Sequence, residues 1–171
     1  MRRVTGVRLA LSILLALVLA SSGASAQLFV ATGRDTLRGL PGIEVLIEPL
    51  QPELERVGLT AASIAAAVTQ QLKAASVTIY VSQRENAGLS KPYLYVHVNA
   101  ASEQGGTYAV ATQVQLRQTL ASLTTESRIV NAMSWDAHGV SIIPAVQLQE
   151  NVSAEIQSLV KRFIADWRSV H

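Results

Sequence analysis

Along Lys91–Asn99 apolar and polar positions alternate, with Leu94, Val96 and Val98 on one side and Tyr93, Tyr95 and His97 on the other. A period of two carried by β-branched and aromatic residues predicts a half-buried strand, central in its sheet. Pro92 stands just ahead of it, where a missing N–H costs no ladder bond. The same alternation sets Ile43, Val45 and Ile47 of Gly42–Pro49 against Glu44, Leu46 and Glu48. In Thr107–Gln118 it sets Tyr108, Val110, Thr112, Val114 and Leu116 against Ala109, Ala111, Gln113, Gln115 and Arg117. Val77–Val81 predicts a short strand, and Gly105-Gly106 a hairpin turn. Arg128–Asp136 predicts a further strand with Ile129, Met133 and Trp135 on one side. A turn at Asp136–Gly139, holding His138, and a short return over Val140–Ile143 before Pro144 complete the series.

Two segments follow the helical period instead. Thr60 is placed to cap a helix to about Ala75, in which Ile64, Val68 and Leu72 recur every four residues among alanines. Asn151 or Ser153 is placed to cap a last helix to about Arg168, with Ile156, Leu159, Val160, Phe163, Ile164 and Trp167 in one stripe. Its early Glu155 and late Lys161, Arg162 and Arg168 agree with the helix dipole. Pro49–Gly58, Ser82–Lys91 and Thr119–Ser127 are expected to be connections. The order β-α-β-β-β-β-α predicts an α+β fold of two layers, one mostly antiparallel sheet with two helices packed on one face. The strand, helix, strand portion favours a parallel crossover.

The amino-terminal stretch belongs outside this pattern. Arg2, Arg3 and Arg8 precede the apolar run Leu9–Ala20, and Ala24-Ser25-Ala26 offers small residues for cleavage. That three-part pattern predicts a secretory signal peptide over residues 1–26, cleaved after Ala26. The run is too short to span a bilayer, which takes about 20 residues. Residues 27–41 read as a loosely ordered lead-in, in which Leu28-Phe29-Val30 could add an edge strand, and residues 42–171 as a single domain. The expected location is exported, in the periplasm, with no transmembrane segment in the mature chain.

Charge then changes meaning. The whole chain carries 14 basic and 12 acidic residues, a formal +2. Cleavage would remove three arginines and no acid, leaving a near-neutral domain with no footprint for nucleic acid. The absence of cysteine excludes disulfide, thiolate-metal and cysteine-nucleophile chemistry.

Catalytic patterns are weak. No Gly-x-Ser-x-Gly motif occurs, and Ser158-Leu-Val-Lys161 lacks its companion motifs and sits inside an amphipathic stripe. Of three histidines, His171 is terminal, and His97 and His138 lack the ligand spacing of a zinc site. No glycine-rich loop opens a helix after a strand, so no cofactor, metal or catalytic residue is assigned. Glu44 and Glu48 share a face, where solvated carboxylates are expected. Asn151-Val-Ser153 matches a glycosylation acceptor but also makes an ordinary helix N-cap, the preferred reading.

What remains is a surface. If helices cover the Leu94 face, then Tyr93, Tyr95, His97, Gln113, Gln115 and Arg117 lie on the open face, where tyrosine offers apolar area with a polar handle. An edge strand is a second candidate contact, by strand addition. The expected function is a non-enzymatic binding or adaptor module for an envelope protein or small ligand. The alternative is a small periplasmic hydrolase using a His-carboxylate pair.

Gly42-Ile43-Glu44-Val45, Gly58-Leu59-Thr60, Pro92-Tyr93-Leu94-Tyr95-Val96, Trp135 and Phe163-Ile164-Ala165-Asp166-Trp167 together form a recurring pattern. In these the chain resembles a group of small, uncharacterised, signal-peptide-bearing bacterial proteins. The resemblance implies an exported, periplasmic α+β domain and carries over no functional residue. The element order also looks like small periplasmic domains that act as envelope adaptors, an analogy of fold alone.

Overall fold

A computed structural model describes residues 33–80, 91–103, 106–121 and 129–171. The expected signal peptide, Leu28–Val30, Gly105 and nearly all of Ser82–Lys91 lie outside these residues. The elements are β1 (Glu44–Ile47), α1 (Pro52–Arg56), α2 (Ala61–Ala74), β2 (Tyr93–Glu103), β3 (Thr107–Ala121), β4 (Ile129–Pro144) and α3 (Leu148–Arg168). One sheet runs in the order β1-β2-β3-β4, with β1 parallel to β2 and the other pairs antiparallel. It is the expected α+β arrangement, with helices packed on the sheet.

The helix-covered face is the one that alternation predicts. Leu94, Val96 and Val98 of β2 and Val110, Val114 and Leu116 of β3 are buried there. Against them lie Ile64, Val68 and Leu72 of α2 and the stripe Val152 to Trp167 of α3. Phe163 is fully buried, edge-on to Trp135 at 5.1 Å between centroids, and 5.8 Å from Trp167. A side chain so placed contributes about 3–5 kcal/mol, as measured by truncation to alanine.

Local signals set the helix ends. Thr60 caps α2 as expected. Its Oγ1 accepts from Ser63 N–H at 3.0 Å, and Ser63 Oγ accepts from Thr60 N–H at 3.1 Å, a reciprocal box. The carboxyl end closes by bonds from Val77 N to Leu72 O and from Ser76 N to Lys73 O, with Ser76 at φ 62°. That left-handed position usually takes glycine. α1 ends the same way, with Leu59 N bonded to Leu54 O and Gly58 at φ 88°.

Several expectations are corrected. Pro49–Gly58 contains α1, whose Pro52 at the first turn, early glutamates, late Arg56 and terminal Gly58 are all helix signals. Of the expected strand Val77–Val81, the described residues 77–80 contribute a single parallel bridge, Ile79 to Ile43, and Val81 lies outside them. α3 begins at Leu148 after a 3-10 turn, so Asn151 and Ser153 lie inside it rather than capping it. Leu37, in the expected loose lead-in, is fully buried, and Thr36 Oγ1 donates to Ser134 O at 3.1 Å. His171, expected on a frayed end, is instead held: its ring stacks on Trp167 at 4.1 Å, and Nδ1 meets Trp167 O at 3.1 Å.

The largest correction concerns β4. No turn interrupts it at Asp136–Gly139, because the ladder to β3 continues through Gln115↔Asp136, Val114↔Ala137, Gln113↔His138 and Thr112↔Gly139. Gly139 signals a close approach instead of a turn. Glu155 of α3 fills the space its side chain would take, accepting from Thr112 Oγ1 and Ser141 Oγ at 3.2 Å each. A register shift between Leu116 and Arg117 leaves Ser134 as an extra residue, a β-bulge. Met133 and Trp135 therefore face opposite ways: Met133 is exposed and Trp135 is buried.

Candidate functional site

The six residues of the expected surface form three directly opposed cross-strand pairs. Tyr93 faces Arg117, Tyr95 faces Gln115, and His97 faces Gln113. Their rows extend outward to Glu44 and Leu46 on β1 and to Met133, Asp136 and His138 on β4. Two strands of strict alternation in fixed register bring this about, since residues two apart share a face. Tyr93, Tyr95, His97, Gln113 and Arg117 are half-buried, and Gln115 is buried.

Within the patch the groups are joined. Tyr95 hydroxyl donates to Glu48 Oε2, and His97 Nδ1 bonds to the same oxygen. The two rings lie parallel, 6.4 Å apart. The Arg117 guanidinium sits 4.9 Å from the Tyr95 ring centroid, a cation–π distance, and its Nε donates to Gln115 Oε1 at 3.0 Å. At the margin Lys91 Nζ lies 4.0 Å from Glu44 Oε1 and 5.3 Å from the Tyr80 ring centroid.

Charge follows this geometry. The Tyr95 hydrogen bond holds the Glu48 carboxyl below its ordinary value, opposed by burial and helped by His97 and Arg117. Burial, and then the bond to Glu48, pushes the Tyr95 phenol up to about 12. Both shifts leave the proton on the phenol and the charge on the carboxylate. Glu48 is thus no idle member of a solvated face. The parity of β1 puts it on the right side, but its partners depend on the parallel pairing with β2, which lies far off in sequence.

His138 stands on this same face. Its Nδ1 meets Asp136 Oδ2 at 3.2 Å, on an exposed part of β4. Gln113 lies between His97 and His138 in one row, so the strands carrying them are about 10 Å apart. The sheet places both histidines together by topology, yet each has its own carboxylate. Among the described residues no group of three His, Cys, Asp or Glu is placed to hold a metal. Ser158 and Lys161 are both exposed on α3.

Farther along the strands the face changes character. Its rows become Asn99–Ala111–Val140 and Ala101–Ala109–Ile142, and Val140 and Ile142 are 78% and 74% exposed. Among the described residues no helix is long and apolar enough to cross a membrane.

No family model and no curated protein sequence matches the chain. A crystal structure of a minor lipoprotein from Acinetobacter baumannii is similar over 77% of this chain and 93% of its own, at 9% identity and a TM-score of 0.40. That likeness carries no functional argument, and the reading of function rests on the sheet face.

Proposed function

We propose that the chain is an exported binding or adaptor module that engages an envelope protein or small ligand through the Tyr93/Tyr95 face of its sheet. One observation carries this reading: the Arg117–Tyr95–Glu48–His97 array. It holds two aromatic rings and a guanidinium in fixed positions on the face opposite the packed helices. Rigid aromatic and arginine side chains are the groups that dominate binding energy at interfaces, because little of their freedom is lost on contact. Their internal bonds keep the array ordered before any partner arrives, which lowers the cost of association. Export rests on the three-part pattern of residues 1–26.

The experiment is cross-linked capture of tagged protein from its native envelope fraction, read by mass spectrometry, beside a Tyr93→Ala/Tyr95→Ala variant. A partner retained by the parent and lost by the folded variant supports the face. Equal recovery by both removes it.

Beside the exposed His138–Asp136 pair, the His97–Glu48 pair is the observation that favours a hydrolase. There Glu48 would orient His97 as a general base. Turnover of ester or amide substrates abolished by His97→Ala would support that reading, and activity surviving the substitution would end it.

A further inference from the structure

The two edges of the sheet differ. β1 is short, and its outer side is met at Ile43, where Ile43 N donates to Thr78 O at 3.0 Å and Tyr80 N donates to Ile43 O at 2.9 Å. β4 is the long edge. Ala145 N donates to Gly106 O at 2.9 Å, and the register is constant from there to Leu116↔Trp135. In an antiparallel ladder hydrogen-bonded positions alternate, so the odd-numbered residues of this stretch bond to β3. Asp136, His138, Val140 and Ile142 therefore turn their N–H and C=O groups to the free side. Among the described residues nothing pairs with them.

Both ends of this free window are marked. At one end Thr36 Oγ1 takes Ser134 O, beside the bulge. At the other Pro144 has no N–H to give. Between them the devices that usually blunt an edge, lysine, proline or a bulge, are missing. The window Asp136–Pro144 is centred on Val140, which with Ile142 stays largely exposed.

We propose that β4 pairs antiparallel with β4 of a second copy, about a two-fold axis at Val140. Val140 then faces its own counterpart, His138 faces Ile142, and Asp136 faces Pro144 at the ladder's ends. This register uses the whole window and covers both exposed aliphatic side chains. It keeps the two copies of Asp136 roughly 27 Å apart, at the strand rise per residue. Moving the axis two residues toward Ser134, to His138, would set His138 on His138, pair Ser134 with Ile142 and run the partner strand into Thr36. Because the pairing is isologous, it closes at a dimer with one continuous sheet and does not propagate. The occupant is a second copy because the window matches itself in length, in apolar centre and in charge placement.

The chain has no cysteine, so Val140→Cys introduces a single thiol. Directly opposed hydrogen-bonded residues lie about 5.5 Å apart at Cα, within disulfide range. Mild oxidation of the purified protein is expected to give a covalent dimer for Val140→Cys and none for Leu46→Cys on β1. Sedimentation should show a concentration-dependent dimer. Val140→Lys, which sets two ammonium groups on the axis, should weaken it roughly tenfold or more. A monomer at the highest soluble concentration with no Val140→Cys cross-link overturns the proposal, as would occupation of the edge by Leu28–Val30. Equal cross-linking at Leu46 also overturns it, since that reports random collision. Should Val140→Lys fail to fold, the cysteine result decides.

Discussion

Glu155 of α3 stands where the side chain of residue 139 on β4 would be, so Gly139 and Glu155 form one fitted pair across the two layers. The carboxylate is pinned by Thr112 and Ser141, at 3.2 Å each, and cannot swing aside without losing both bonds. Gly139→Ala should therefore destabilise the fold by about 1–3 kcal/mol, the usual cost of overpacking. In a Glu155→Ala background the same change should cost clearly less. Urea unfolding of the four proteins gives the coupling, and additive effects would show that the pair does not interact.

The shared oxygen of Glu48 predicts two pH effects. Tyr95, pushed up to about 12 against 10.0 for a free phenol, should titrate late in ultraviolet absorbance. Replacing Glu48 with alanine should lower it only in part, because burial, the largest single cause, remains. The native state keeps this proton while the unfolded chain releases it, so stability should fall as pH rises from 10 to 12.

Glu48 acts with the opposite sign. Its folded value lies below 4.5, so its contribution is present above that pH and is lost as pH falls through the folded value. The difference in melting temperature between the parent and Glu48→Gln should shrink over that acid range. A gap that stays constant into strong acid would contradict the assignment.

Two helices close on left-handed residues of different type. Ser76 adopts φ 62° where glycine carries no side-chain penalty, and Gly58 adopts φ 88°. Ser76→Gly should raise stability, and Gly58→Ala should lower it, each by about 1 kcal/mol. Thermal melts of the two single variants check both signs.

The bulge at Ser134 separates two neighbours. Trp135 is buried and donates through Nε1 to Asp166 Oδ2 at 2.9 Å, while Met133 is half exposed. Trp135→Ala should cost about 3–5 kcal/mol and Met133→Ala under about 0.5 kcal/mol. Similar losses at both would mean that the strand is in unbroken phase.

The sequence discloses what local periodicity controls. The Tyr93–Val98 alternation, the α3 stripe and the Thr60 cap each depend on residues within a turn or two of one another, and each stands where expected. The six-residue face was legible for the same reason, since two strands of clean alternation joined by a hairpin fix which side chains share a surface. Glu48 was not legible as a partner of Tyr95 and His97, because that contact needs a parallel pairing between distant segments. Gly139 misleads because glycine serves turns and close packing alike, and only the approach of α3 decides between them. α1 is a plainer omission: Pro52, its glutamates and Gly58 carried the signal, in a helix too short to show a period.

Ser134 has a consequence for how β4 can change over time. On its carboxyl side even-numbered residues face outward, and on its other side the outward set is odd-numbered. Deleting Ser134 would leave Met133 and Trp135 as consecutive residues opposite Arg117 and Leu116, with both half-strands still in phase on β3. Replacing Ser134 or Met133 alters only one side chain. Loss of a residue at the bulge therefore costs the Ser134 bonds to Thr36 and Gln118 but keeps the phase, whereas a loss inside either half-strand would turn the side chains beyond it to the other face.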